Sequence, residues 1–380
     1  MRITVLGGGP AGLYSATLLK RDNPSWDVTV YEQNPKDVTW GFGVVFSDRA
    51  LSFLEADDPD TYRAFAGQLE TWQDITIDLM GEKTAIDGVG FAAVARLKLI
   101  QILTSRAEAV GVTLKFNSAP DAYRSDTDKA DLVIAADGVN SVIRNADPDG
   151  FGAKLDHLTN RFAWYGTTKT FPTLTQSFRR SEWGPFNAHH YRYAPGMSTF
   201  IVETTEEVWR KAGLDTAGDE ESRRICETVF ADVLDGHPLI SNKSIWRVFP
   251  KVWNEKWYSG NKVLIGDALH TAHFSIGSGT RLAMEDAISL AKSVREHPGD
   301  LPAALQAYQD ERKPIVAKLV RAAEESANWY EQFIAHMELP PLDFAHGYIK
   351  RAGRLDDDRL RASAPKFMAQ YDASKQRAAR

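Results

Sequence analysis

The chain has 380 residues, 43% of them hydrophobic and 25% charged, with a formal net charge of −6 at neutral pH. That balance predicts an ordinary globular protein with room for two or three substructures, and it excludes a general nucleic-acid binder while leaving space for local basic grooves. A single cysteine, Cys226, excludes an internal disulfide and a Cys-rich zinc site, no metal centre is expected, and no apolar run approaches the ~20 residues that cross a bilayer, so a cytoplasmic protein with no membrane partner is expected.

Arg2-Ile-Thr-Val-Leu6 is a β-branched run that reads as a buried strand and turns at once into Gly7-Gly8-Gly9-Pro10-Ala11-Gly12. Arg2 ahead of apolar residues mimics a secretion signal, but the Gly-Gly-Gly-Pro interruption leaves its hydrophobic stretch too short. Leu13 to Lys20 carries a helical pattern, and Asp27 to Tyr31 is a second strand that ends in Glu32 and Gln33. Gly7, Gly9 and Gly12 fit G-x-G-x-x-G, with the acid Glu32 about twenty residues further on. In that pattern the first glycine allows the tight turn, the second lets a pyrophosphate approach the backbone, and the third lets helix and strand pack closely. The helix start at Pro10 and Ala11 supplies free N–H groups and partial positive charge for phosphates, and Glu32 accepts hydrogen bonds from ribose hydroxyls. Strand, glycine turn, helix, strand and terminal acid together predict a dinucleotide site.

Trp40-Gly-Phe-Gly-Val-Val-Phe46 follows, with glycines that suit backbone lying under a planar ring or a glycine-interrupted strand. Residues 48–72 look helical, Asp74 to Leu79 and Gly90 to Val94 look like strands, and Arg96 to Val110 is a helix stopped by Gly111. After a strand at Val112 to Phe116 comes Ala130-Asp-Leu-Val-Ile-Ala-Ala-Asp137-Gly138, a second buried strand ending in a carboxylate, with a short helix from Val139 to Arg144. From Phe162 to Phe249 the texture becomes alternating and aromatic: Trp164–Lys169, Ala188–Tyr193 and Ser198–Glu203 read as antiparallel strands, with a helix from Glu220 to Leu234. Asn261 to Ile265 returns to a buried strand, followed by Gly266-Asp267-Ala268 and a helix after Gly279. A long helix from Pro302 to about Phe333 and a charged, partly helical tail complete the chain.

Three motifs now stand in order: Gly7-x-Gly9-x-x-Gly12 with Glu32, Asp137-Gly138 before Arg144, and Gly266-Asp267-Ala268-x-His270. Together with Arg96 and Tyr308-x-x-x-Arg312-x-Pro314, this set resembles the single-component FAD-dependent aromatic hydroxylases of the p-hydroxybenzoate hydroxylase type. The resemblance implies an α/β fold. A Rossmann-like FAD-binding domain (1–160 and 250–300) would be interleaved with a mixed or antiparallel β-sheet substrate domain (161–249, with part of 70–95), followed by a C-terminal helical region (301–380). Within the family, Gly41-Phe-Gly-Val-Val-Phe-Ser47 and the run His270 to Asp286 look like the salicylyl-CoA 5-hydroxylase and anthraniloyl-CoA monooxygenase group. Phe274 and Thr280 depart from the wider family's proline and asparagine in a way that fits this group. The reductase domain that follows in bifunctional members is not expected within 380 residues.

By that resemblance Gly7, Gly9, Pro10, Ala11, Gly12, Glu32 and Gln33 would hold the ADP half of FAD. Arg96 would approach pyrophosphate or ribose, Asp137 with Gly138 would touch both FAD and the incoming reduced pyridine nucleotide, and Gly266 and Asp267 would lie at the ribityl chain. Gly277, Gly279 and Thr280 open a helix whose N–H groups and dipole would face the flavin and stabilise its anionic reduced form. NADH or NADPH would be the co-substrate, and O₂ would react through a flavin C4a-hydroperoxide with an electron-rich ring. The partner implied is an aromatic small molecule, a CoA thioester of the salicylyl type hydroxylated at the 5-position, bound by a monomer or homodimer. Its phenolic proton needs a base, for which His189, His190, His270 and His273 are the candidates, with Tyr191 a further catalytic residue on the same side of its strand as His189. For the CoA phosphates, Arg161, Lys169, Arg179, Arg180, Arg192 and Arg247 are available cations. Hydroxylation of a free tryptophan or indole derivative, as in violacein-pathway hydroxylases, is the alternative; a non-hydroxylating FAD reductase or sensor is the alternative of a different class.

Overall fold

A computed structural model describes residues 1–47 and 52–378. The strand Arg2–Leu6 is apolar on both faces because helices cover both, and it sits near the middle of a six-stranded sheet. On one side lies Asp27–Tyr31 and then Thr113–Lys115; on the other lie Leu132–Ala135 and Lys262–Leu264, all parallel, and the antiparallel edge Tyr258–Ser259. From Arg2–Leu6 the chain runs first to one neighbour and later to the other. A crevice therefore opens at the carboxyl ends of these strands, where the turn after Leu6 meets the turn after Ala135. Helix Pro10–Asp22 packs against Arg96–Ala109 and Gly279–Glu296, burying Leu13, Tyr14, Leu18, Leu103, Leu282 and Leu290 in one core.

The second sheet has eight strands. Its path runs Leu239–Ile240, Ala153–Thr167, Met197–Thr204, Gly184–Ala194, Leu174–Ser181, Ile75–Leu79 and Glu82–Ile86, and Arg247–Asn254 also pairs with Ala153–Thr167. The pairing is antiparallel except where Leu174–Ser181 runs parallel to Ile75–Leu79. Both faces are buried. One carries Tyr165, Phe186 and Phe200 under Cys226 and the other buried residues of the helices of 206–234; the other carries Phe178, Tyr191 and Tyr193 under Phe333, Phe344 and Tyr348 of the C-terminal helices. The expected antiparallel character is found, but strands Leu174–Ser181 and Glu82–Ile86 were not legible, because neither alternates cleanly between apolar and polar residues. Strand Ala153–Thr167 straddles the expected boundary between 160 and 161, so one continuous strand joins the two regions.

Several local expectations change. Of the helix expected over 48–72, the described part is two short helices, Ser52–Asp57 and Pro59–Ala66, then a strand, Glu70–Trp72; residues 48–51 lie outside the described residues. The expected helix Glu220–Leu234 breaks at Phe230 into Asp219–Val229 and Ala231–Leu234. The tail forms three helices, Pro341–Lys350, Asp357–Ser363 and Pro365–Ala378. In the Trp40–Phe46 run the glycines do lie against planar rings, and these rings belong to the protein. A Cβ on Gly43 would meet Tyr193 at 2.5 Å, and one on Gly41 would meet the Trp164 indole at 3.4 Å. No described helix is long and apolar enough to cross a membrane.

Candidate active site

The first turn is shaped by what cannot fit in it. Gly7 has φ +102°, and a Cβ there would lie 2.2 Å from the Ala136 carbonyl oxygen; a Cβ on Gly12 would lie 1.9 Å from the Gly7 carbonyl oxygen. Around Gly9, by contrast, nothing lies within 4 Å of the Cβ position, so this side of the turn faces open space. Pro10 opens the helix, Ala11 is buried behind it, and no side chain caps the N-terminus, which leaves its N–H groups for a ligand. Glu32 is fixed at the end of its strand: Oε2 accepts from the Gly8 N–H at 2.7 Å, and Oε1 accepts from the Asn34 backbone and side-chain amides at 2.7 and 2.6 Å. Oε2, which accepts only one of these bonds, keeps lone-pair capacity for a ribose hydroxyl. Gln33 is exposed beside it.

Across the crevice, Asp137 accepts from the Val142 N–H at 2.7 Å, while its Oδ1 is buried without a protein partner. Burial raises its pKa, against the hydrogen bonds of Ser141 and Val142. Arg144 links this turn to the third motif by donating to the carbonyls of Val139 and, at 3.0 Å, Ala268. Gly266 has φ +58°, and its Cβ position is 3.0 Å from the Ala11 methyl, so the third motif is seated on the first helix. Asp267 keeps an exposed face, yet enough protein surrounds it that desolvation raises its carboxyl, opposed by the positive charge of Arg96. Burial lowers Arg96, whose Nε donates to Thr39 Oγ1 at 3.1 Å. The eighteen-residue helix Gly279–Glu296 starts after Gly277 in the left-handed conformation, with no side-chain cap and with Ser278 Oγ buried and unpartnered. Thr280 stands in its first turn, and the Cβ position of Gly279 is open.

This donor set fits FAD. The open side of Gly9 and an uncapped helix suit the pyrophosphate, Glu32 a ribose, Asp267 the ribityl hydroxyls, and the uncapped start of Gly279–Glu296 a ring edge that becomes negative on reduction.

The proposed catalytic residues separate. His270 Nε2 is 2.8 Å from Asp286 Oδ2, and Asp286 also accepts from Arg312 Nε at 3.0 Å and from the Gly266 N–H at 3.1 Å. That buried network fixes the Gly266 turn and engages His270, which does not line the cavity described next. Tyr191 is likewise committed, with its hydroxyl donating to the Gly43 carbonyl at 3.0 Å and its pKa raised by burial. His273 bonds through Nδ1 to Ser275 Oγ at 2.8 Å and packs on Phe249 and Phe274. His189 stacks on Tyr191 and lies 5.6 Å, ring to ring, from Phe274. Burial, helped by the charge of Arg351, holds His189 down to about 3; burial, helped by His189 and Arg351, holds His273 down to about 3.

His189 lines a cavity of about 50 Å³ between the Phe274–Gly277 turn, the second sheet and the C-terminal helices. Val45, Ile75, Phe91, Leu174 and Ile349 make its walls apolar; Gln176, His189 and Arg351 are its principal polar side chains. The sequence reading missed Gln176 and Arg351. Gln176 lies directly opposite His189 on neighbouring strands, a relation visible only once the strand Leu174–Ser181 is recognised.

The basic residues considered for phosphates are mostly engaged. Arg179 is buried between Asp78 and Asp232, each at 2.8 Å. Arg161 pairs with Glu206 at 3.4 Å, Lys169 with Asp235 at 2.7 Å, Arg192 with Glu70 at 2.7 Å, and Arg180 with Glu338. Among the described residues only Arg247 of this set has no carboxylate partner, and burial lowers its pKa.

Residues 107–323 match the family model described as FAD binding domain. The chain is 40% identical to salicyloyl-CoA 5-hydroxylase of a Streptomyces species, over 93% of this chain and 70% of that one. It is 34% identical to 3-hydroxy-4-methyl-anthranilyl-[aryl-carrier protein] 5-monooxygenase of Streptosporangium sibiricum, over 87% and 89% of the two chains, and 32% identical to protodeoxyviolaceinate monooxygenase of Chromobacterium violaceum, over 92% and 94%. The solved structure of 2-methyl-3-hydroxypyridine-5-carboxylic acid oxygenase superposes with a TM-score of 0.71 at 17% identity, over 95% and 96% of the two chains, a likeness of fold. Three nucleotide motifs on one crevice, an adjoining apolar cavity and these matches lead to one conclusion: the chain belongs to the FAD-dependent aromatic monooxygenases.

Proposed function

We propose that this monooxygenase hydroxylates the ring of an aryl thioester of the salicylyl-CoA type, at the position para to the phenolic hydroxyl. The carrying observation is the lining of the cavity beside Phe274–Gly277, where apolar walls surround the polar side chains of Gln176, His189 and Arg351. Such a lining suits an aryl acyl group, with a long thioester arm left outside. Two relatives whose printed names specify an acyl-CoA or a carrier-protein thioester support the thioester.

Bound FAD, reduced by NADH or NADPH, supplies the activated oxygen. The protein's own residues do the rest. His189, kept neutral by burial, donates a ring N–H to the phenolic oxygen and so orients the hydroxyl for reaction. The lone pair released into the ring raises electron density at the para carbon. Apolar walls from the sheet and the C-terminal helices hold the ring and keep water out.

The test is substrate-stimulated oxidation of NADH and NADPH by the holoenzyme with salicylyl-CoA, anthraniloyl-CoA, free salicylate and free indole acids, with mass detection of inserted oxygen. Thioesters should stimulate turnover and gain one oxygen. Turnover of free acids with no response to thioesters would reject the assignment. His189→Ala should lower hydroxylation of salicylyl-CoA by about 10²-fold while retaining bound FAD.

A further inference from the structure

Two polar groups in the cavity have unmet hydrogen-bonding capacity. Gln176 is 2% exposed and its Oε1 is buried without a partner. Because it stands directly opposite His189 in the antiparallel pair, both side chains leave the same face of the sheet and reach the same cavity. Arg351 approaches from the C-terminal helices. Its two terminal nitrogens are pinned, one to the Tyr348 carbonyl at 2.8 Å and one to the Ser275 carbonyl at 2.7 Å, and its guanidinium lies 3.8 Å from the centroid of the Tyr348 ring. Its Nε is buried and has no partner. Among the described residues no carboxylate pairs with Arg351, so a cation faces an apolar cavity without a counter-charge. A fixed donor of this kind is expensive to leave unpaired, and an electron-rich oxygen satisfies it. Gln176 can accept from a hydroxyl or an amine while its amide donates elsewhere.

We propose that Arg351 and Gln176 are the residues that read the substrate: Arg351 binds the acyl carbonyl oxygen, and Gln176 binds the hydroxyl or amino group ortho to it. The ligand class selected is an aromatic carbonyl compound with an ortho hydrogen-bond donor. The two groups approach from opposite sides, one from the sheet and one from the C-terminal helices, so together they fix the ring's rotation in its plane. His189, next to Gln176, is then set beside the ortho substituent. This assignment rests on the thioester reading above.

The test compares ligands as well as variants. Holoenzyme is titrated calorimetrically with salicylyl-CoA, with benzoyl-CoA, which lacks the ortho hydroxyl, and with S-(2-hydroxybenzyl)-CoA, a thioether that lacks the carbonyl. Wild-type protein should bind the thioether about 10- to 100-fold more weakly than salicylyl-CoA, and benzoyl-CoA about 3- to 10-fold more weakly. Arg351→Met should bind salicylyl-CoA and the thioether alike, and Gln176→Leu should bind salicylyl-CoA and benzoyl-CoA alike. Arg351→Lys, which keeps the charge without the planar fork, should recover part of the preference for the carbonyl. A melting curve and the bound-flavin ratio establish that each variant is folded. The wild-type comparison of the three ligands stands even if one variant is not. Salicylyl-CoA bound and hydroxylated with no discrimination against the thioether, or with discrimination unchanged in Arg351→Met, overturns the assignment and leaves the thioester reading intact. No binding of any aryl-CoA overturns the thioester reading, and this assignment with it.

Discussion

Gly9 and Gly12 stand three residues apart in one turn, yet the protein requires them for different reasons. A Cβ at Gly12 would run into backbone, 1.9 Å from the Gly7 carbonyl oxygen, so the helix could not stay against its strand. At Gly9 the backbone is extended, with φ −76° and ψ −179°, which any residue adopts, and the added methyl would touch nothing in the protein. Gly12→Ala should therefore destabilise the FAD-free protein by several kcal/mol, in the manner of other steric overpacking (about 1–3 kcal/mol or more). Gly9→Ala should leave the FAD-free melting temperature unchanged and weaken FAD retention on dilution. Melting curves of flavin-stripped protein, beside the flavin-to-protein ratio of purified protein, separate the two effects; equal destabilisation by both substitutions would contradict this account. The glycine spacing was legible because its cause is local: a turn of six residues carries its own geometry. Arg351 was illegible for the opposite reason. Nothing in its neighbourhood of the sequence marks it, and its role arises from meeting Ser275 and His189 across long stretches of chain.

At the scale of the element, the strand Gly184–Ala194 carries adjacent histidines to opposite faces of a sheet buried on both sides. The period-two placement of His189 with Tyr191 was readable from the sequence, and the two rings do stack. What alternation could not show was that the other face is buried too. His190 points there, its ring stacked 5.0 Å from Phe200 and packed at a tilt 3.9 Å from Phe171, with Nε2 on Ser177 Oγ at 3.0 Å and Nδ1 without a partner. Burial holds His190 well below its ordinary 6.5, and burial holds His189 and His273 down to about 3. The native state therefore stays unprotonated at these rings while the unfolded chain takes up protons as pH falls through about 6.5, so stability is present above that pH and is lost below it, by at most about 1.4 kcal/mol per pH unit for each ring. His190→Phe replaces the ring with an apolar one and leaves only Ser177 to be re-satisfied, at about 1 kcal/mol. Its urea midpoint should fall less than wild type's between pH 7 and about pH 5.5, because one of the proton-binding groups of the unfolded chain is gone. An unchanged pH slope would mean that His190 is charged in the native protein.

For the whole molecule, the C-terminal helices matter because they close the cavity that lies on the eight-stranded sheet beside Val45, Phe91 and the Phe274–Gly277 turn. Helix Pro341–Lys350 buries Phe344, Ala345 and Tyr348 against Phe178 and Phe333, and with Arg351 it forms one wall of the cavity. The sequence marked this region only as a helical tail, since an amphipathic pattern says that a helix packs without saying on what. Its attachment includes contacts from the strand loop after Glu82–Ile86. Asp87 accepts from the backbone N–H groups of Lys366 and Phe367, at 3.2 and 2.9 Å, and so caps helix Pro365–Ala378 from another part of the chain. Beside it Gly88, at φ +67°, lies so close to the Ser363 carbonyl oxygen that a Cβ would be 1.9 Å away. Removing the cap with Asp87→Ala should cost about 1 kcal/mol, enough to loosen the last helix without unfolding the protein. Water that reaches the cavity diverts activated oxygen from the ring, so the variant should keep substrate-stimulated NAD(P)H oxidation while releasing more hydrogen peroxide and less hydroxylated product per reduced nucleotide. Limited proteolysis reports the loosening independently of turnover, and oxygen uptake with and without catalase reports the coupling. Faster cleavage of the C-terminal helices with coupling unchanged would show that they do not keep the site dry. Asp87→Asn, which retains one acceptor oxygen, should fall between the two proteins in both measurements.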